Sequence, residues 1–108
     1  MREAKPRLLR TYLTTQGRSP FDEWIAGLKD GKARGSIRVR LNRVAAGNLG
    51  DCRSVGGGVL ELKIGFGPGY RVYFGMDGDL VILLGGGEKS TQDRDIPRAK
   101  DRWSDYNA

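Results

Sequence analysis

Hydrophobic residues change their spacing along this chain, and each change marks an element. Arg7 to Thr14 (RLLRTYLT), rich in Leu, Tyr and Thr, reads as a first strand. A helix start follows. Ser19 suits the N-cap, Pro20 the first helical position, and Asp22 and Glu23 complement the helix dipole. Phe21, Trp24, Ile25 and Leu28 recur at i, i+3, i+4 and i+7, so this helix buries one aromatic-rich face before Asp30-Gly31 ends it. Ala33, Ile37, Leu41, Val44 and Ala45 form a second helical stripe, closed by Gly47 and Gly50. Two short helices with a tight link predict an αα-hairpin.

From Val55 onward the period is two. Leu60, Leu62 and Ile64 alternate with Val59, Glu61 and Lys63, and Tyr70, Val72 and Phe74 alternate with Arg71 and Tyr73. Gly65-Phe66-Gly67-Pro68-Gly69 lies between these strands as a turn. Pairing Leu62 with Val72 puts every apolar residue on one face, and a one-residue slip would cost that burial. The same register sets Lys63 opposite Arg71 and Glu61 opposite Tyr73 on the other face, which is expected to be exposed. Leu80 to Leu84 is a continuous apolar run, as in a covered central strand, and Asp77-Gly78 before it suggests a type I′ hairpin. That turn would lay Leu84 beside Arg71 and Ile82 beside Tyr73. After Gly85-Gly86-Gly87, a loop carrying Lys89 leads to a polar helix with Ile96, Ala99 and Trp103 on its apolar side. Pro97 argues against a start at Ser90 and puts the helix start between Asp93 and Asp95. The elements predict an α+β fold of order β-α-α-β-β-β-α: a mainly antiparallel sheet packed by a helical hairpin and a C-terminal helix.

Composition narrows the chemistry. The 108 residues suit one domain over 1–108 with one modest core. The net charge is +6, and residues 1–54 hold 12 cations against 5 anions. Histidine is absent and Cys52 is the sole cysteine, which excludes His-based catalysis, a disulfide framework and a Cys-based zinc site. No metal or other cofactor is expected, and no apolar run reaches the 18 or so residues of a membrane span. Cys52, Phe21, Trp24 and Trp103 are assigned to packing. The chain reads as a cytoplasmic, basic domain. Arg34, Arg38, Arg40 and Arg43 lie on the second helix, the last three with no acidic partner at i±3 or i±4, which points to a negatively charged partner.

Without His, acid–base work falls to carboxylates, Lys, Tyr or shifted cations. One reaction suits a cation-rich site: attack by an RNA 2′-hydroxyl on the adjacent phosphate, whose transition state gathers negative charge that preorganised cations stabilise. Arg71 would clamp the phosphate, Lys63 would serve as base or second clamp, and Tyr73 would orient a hydroxyl or stack on a base. Lys89, after the glycine run, sits where backbone amides can receive phosphate.

Nearly the whole chain resembles the phage-derived, HigB-like killer proteins of the RelE/ParE toxin superfamily. The resemblance rests on GVLELKI at 58–64, GPGYRVYF at 67–74, LLGGGEKSTQ at 83–92 and Asp95-Ile96. Pro20, Trp24, Leu28, Arg40 and Leu41 extend it into the N-terminal half. It implies a compact α+β toxin of a type II toxin–antitoxin module, neutralised by a neighbouring helix-turn-helix antitoxin. RelE-type members cleave mRNA in the ribosomal A site. By motif, Arg71 matches the central-strand arginine, Lys63 a basic position of the preceding strand, and Lys89 the basic position after the last strand. Catalytic roles are thus expected for Arg71, Lys63, Tyr73 and Lys89, with Arg34, Arg38, Arg40, Arg43 and Gln92 contacting RNA or the ribosome. ParE-type relatives instead stall DNA gyrase without being nucleases, which is the alternative. A third reading is an inert remnant that only binds its antitoxin.

Overall fold

The structure is a computed structural model describing residues 5–65 and 67–108. Phe66, which the sequence puts in the turn between two strands, lies outside the described residues. The elements are β1 (Leu8–Thr11), α1 (Pro20–Gly27), α2 (Gly31–Ala45), β2 (Cys52–Gly56), β3 (Val59–Ile64), β4 (Tyr70–Asp77), β5 (Leu80–Glu88), a 3-10 turn (Lys89–Thr91) and α3 (Gln92–Tyr106). The fold is α+β: three helices on a mixed five-stranded sheet of order β1-β5-β4-β3-β2. β1 runs parallel to β5, and every other pairing is antiparallel.

The helix starts are set as their residues dictate. Ser19 caps α1, its hydroxyl accepting from Asp22 N–H at 3.1 Å, and Pro20 occupies the first turn. Asp30 caps α2, accepting from Lys32 N–H at 2.9 Å. A short link joins the two helices, but α1 lies on β5 and α2 on β3. The expected hairpin is therefore a chain connection, and each helix takes its main support from the sheet.

The β3–β4 register is the one the alternation predicts: Leu60 pairs with Phe74, Glu61 with Tyr73, Leu62 with Val72, Lys63 with Arg71 and Ile64 with Tyr70. The β4–β5 register differs from expectation. Asp77 pairs with Leu80, so the two-residue loop is Gly78-Asp79, with φ +58° at Gly78 and no positive φ at Asp79. Glycine in the first central position fits a type II′ loop better than type I′. A bulge between Tyr73 and Phe74 then shifts the ladder, so Tyr73 faces Gly85 and Arg71 faces Gly87. Gly85, Gly86 and Gly87 thus belong to β5 and not to a loop.

Three further expectations are corrected. Cys52–Gly56 is an additional edge strand, giving the order β-α-α-β-β-β-β-α. Helix α3 begins at Gln92, with Pro97 inside it. The 3-10 turn before it carries the capping pair Glu88–Thr91, which lets the helix start earlier than Pro97 alone suggests. Finally, the sheet is covered on both sides. Phe21, Ile37, Leu62, Val72 and Phe74 pack under α1 and α2, while Tyr12, Val59, Tyr73, Ile82, Leu84 and Ala99 pack with Trp103 of α3. Two clusters replace the single core, because a few apolar residues on α3 suffice to close the second face.

Candidate functional site

Alternation along β2, β3 and β4 puts Arg53, Glu61, Lys63, Arg71 and Tyr73 on the face that α3 covers. Arg53 pairs with Glu61, and Glu61 with Tyr73, forming a row across three strands; Lys63 and Arg71 form the next row. The face is not exposed as expected. Glu61 is 3% exposed, Arg71 5% and Tyr73 1%, and Lys63 alone of the predicted group keeps an exposed side chain beside them.

Glu61 is the hub. Arg53 Nε donates to its Oε1 at 2.9 Å and Gln92 Nε2 to its Oε2 at 2.8 Å, while Arg71 Nε stands 3.7 Å from Oε1. Burial alone would raise the Glu61 carboxyl, but the hydrogen bonds from Arg53 and Gln92 outweigh it and hold the acid below the ordinary range. Arg71 is fixed by its own strand end, its Nη1 donating to the carbonyls of Gly69 at 2.8 Å and Tyr70 at 3.2 Å. The Gly69 carbonyl also accepts from Lys89 N–H at 2.9 Å.

Among the described residues, two buried side-chain polar atoms lack a hydrogen-bond partner: Arg71 Nε and Tyr73 Oη. Both come from β4, two residues apart and on one face. Leaving such a donor unpaired costs about 1–3 kcal/mol, so a fold that keeps two together retains them against its own stability. Burial, then the Glu61 charge, push the Tyr73 phenol far above its ordinary range, so it stays a proton donor.

Asp51, Arg53, Glu61, Lys63, Arg71 and Gln92 line a cavity of about 320 Å³. Asp51 and Lys63 also line a neighbouring cavity of about 470 Å³, where they meet Arg40 and Arg43 of α2. The remaining expected residues scatter. Arg34 Nη1 donates to the Leu28 carbonyl, and Arg38 lines a separate cavity beside β1. Arg40 Nη2 is partly committed to the Leu49 carbonyl at 2.6 Å. The four α2 arginines therefore do not form one stripe, because two of them bond to nearby loop carbonyls. Tyr73 is buried beneath α3, so it is placed to donate a hydrogen bond and not to stack on a base. Lys89 opens the 3-10 turn with an exposed side chain, joined to Arg71 only through Gly69.

The sequence reading had no role for Glu61 and Arg53. Glu61 carried a signal, a lone acid in an apolar alternation whose register already set it beside Tyr73. Arg53 carried none, since its strand was not recognised. Among the described residues there is no group of His, Cys, Asp or Glu able to hold a metal ion. No described helix is long and apolar enough to cross a membrane.

No family model matches the chain. Its sequence is 52% identical over 81 residues to an uncharacterized protein of Haemophilus influenzae (strain ATCC 51907 / DSM 11121 / KW20 / Rd). The match covers 74% of this chain and 82% of that relative. The chain belongs to the family of this Haemophilus influenzae protein.

Proposed function

We propose that the protein is a HigB-like toxin of the RelE/ParE superfamily, an endoribonuclease that cuts ribosome-bound mRNA without a metal ion. One observation carries this reading: Arg71 Nε, buried without a hydrogen bond, stands 3.7 Å from the ionised Glu61 carboxylate in a cavity that Arg53 and Lys63 also line. A buried donor left free of hydrogen bonds is preorganised for charge that develops only during reaction.

In this scheme the RNA 2′-oxygen attacks the adjacent phosphorus and its proton passes to Glu61. The bond to the 5′-oxygen breaks as that oxygen takes a proton from solvent water, leaving a 2′,3′-cyclic phosphate and a 5′-hydroxyl, and Glu61 returns its proton to solvent. Arg71 holds the nonbridging oxygens, and Lys63 holds the phosphate from the open side. Arg53 and Gln92 fix the carboxylate, and the buried Tyr73 phenol on the same sheet face keeps its proton. Arg40 and Arg43 extend the positive surface along α2 toward the rest of the RNA or the ribosome. The absence of a His acid–base pair fits an enzyme that relies on the ribosome to orient its substrate. A helix-turn-helix antitoxin would neutralise the protein in the cytoplasm by covering this basic face.

The test is cell-free translation with wild type and Arg71→Ala, each checked for folding by circular dichroism. Wild type arrests synthesis and cuts mRNA, and the variant loses about 100- to 1000-fold of the cleavage, the usual effect of removing one oxyanion donor. Cleavage by Arg71→Ala at the wild-type rate overturns the site. Intact mRNA with stalled gyrase in wild-type samples overturns the nuclease.

A further inference from the structure

A second polar cavity, of about 200 Å³, lies between α1 and α3, which cover opposite faces of the sheet, beside the β5 glycines. Arg94, Arg98 and Arg102 recur at i, i+4 and i+8 of α3 and all border it. Two carboxylates also border it, and both are committed elsewhere. Glu23 receives Nε and Nη2 of Arg18, each at 2.8 Å, and Asp95 receives the Thr91 hydroxyl and Arg94 Nε. Among the described residues Arg98 and Arg102 have no ion-pair partner. They stand close enough that the Arg98 charge, added to burial, lowers the Arg102 pKa.

Two independent features show a built cavity. Tyr73, whose buried hydroxyl has no partner, forms part of the wall. The glycines of β5 are cut to fit: a Cβ on Gly86 would lie 2.3 Å from the Trp24 ring, and one on Gly85 would lie 2.6 Å from Arg102 Nη1. Arg102 Nη1 donates to the Leu84 carbonyl at 3.0 Å, which fixes the guanidinium and leaves its other N–H groups for a ligand.

We propose that this cavity is a phosphate subsite distinct from the Arg71 cavity. In it Arg98 and Arg102 take the charge, the Tyr73 hydroxyl supplies a neutral donor, and Trp24 offers an aromatic wall. Arg71 and Tyr73 are two residues apart on one strand, about 6–7 Å, so the two cavities lie side by side. A phosphodiester next to the one held by Arg71 and a free phosphate monoester share the chemistry required. Only the first of these sources rests on the nuclease reading.

The test follows the Trp24 indole and arginine Nε–H signals by heteronuclear NMR while inorganic phosphate is added to the full chain. Saturable shifts at Trp24 and Arg98 are expected. Arg98→Gln weakens binding about tenfold, Tyr73→Phe about threefold, and Arg71→Gln changes it less than about twofold. A short RNA that displaces phosphate identifies the backbone as the source, and displacement by a 5′-mononucleotide alone identifies a monoester. Unmoved Trp24 and Arg98 signals overturn the subsite, as does wild-type affinity in Arg98→Gln or loss of binding in Arg71→Gln. Phosphate binding that persists in a chain unable to cleave mRNA removes the nuclease reading and leaves the subsite standing.

Discussion

The sheet face under α1 and α2 buries Phe21, Ile37, Leu62, Val72 and Phe74, whereas the face under α3 buries Glu61, Arg71 and Asp95 beside Tyr73 and Ile82. The first is stabilised by burial of apolar area alone. The second keeps unpaired donors next to a desolvated acid, an arrangement that lowers stability and is retained where polar groups must act. One sheet thus divides its labour: one side buries apolar residues, and the other buries charged and polar groups beside its apolar cluster, at some expense to the fold.

The sharpest way to test that division is to damage the apolar side. Phe74→Ala opens a cavity among fully buried neighbours and is expected to cost about 3–5 kcal/mol in denaturant unfolding. A loss below about 1 kcal/mol would deny that side its structural role.

Next in size is Glu61→Gln, which leaves Arg71 buried without its countercharge and is expected to cost about 2–3 kcal/mol at neutral pH. The folded acid titrates below its unfolded counterpart. Its contribution is therefore present above the ordinary carboxylate pKa of 4.5 and is lost as pH falls through the folded value. Unfolding measured across that window should show a steeper decline for wild type than for Glu61→Gln. Equal slopes would mean that Glu61 is not held ionised.

Much of this contrast was readable before any coordinates. Glycine boundaries and strict alternation leave β3 and β4 one pairing that buries all their apolar residues, so the row holding Glu61, Lys63, Arg71 and Tyr73 follows from pattern. Three things were not readable. The segment Cys52–Gly56 has no apolar alternation, because it is an edge strand with little to bury. The β4–β5 pairing depends on a Gly-first loop and a bulge, both local backbone choices that hydrophobic spacing does not encode. The cover provided by α3 was underestimated because that helix is mostly polar. The exposed cation cluster expected from the register is consequently a half-roofed cavity with an acid at its centre.

Gly86→Ala probes the junction between helices and sheet. The added Cβ meets the Trp24 ring at 2.3 Å with no strained φ at that residue, so steric conflict is the main effect. A loss of about 2 kcal/mol is expected in thermal or denaturant unfolding. No loss would show that Trp24 moves freely. The smallest effect belongs to Tyr73→Phe, which removes a hydroxyl with no partner and should shift stability by less than about 1 kcal/mol, toward greater stability. A large destabilisation would reveal a bond that makes the phenol part of the scaffold.

The far end of α3 is clasped twice, by the Tyr12 hydroxyl donating to Asp105 and the Tyr106 hydroxyl donating to Asp77, each at 2.6 Å. A nascent polypeptide must therefore release α3 from the ribosome before that roof can close over Tyr73. Until then Glu61 lacks Gln92, and its pocket stands open to water.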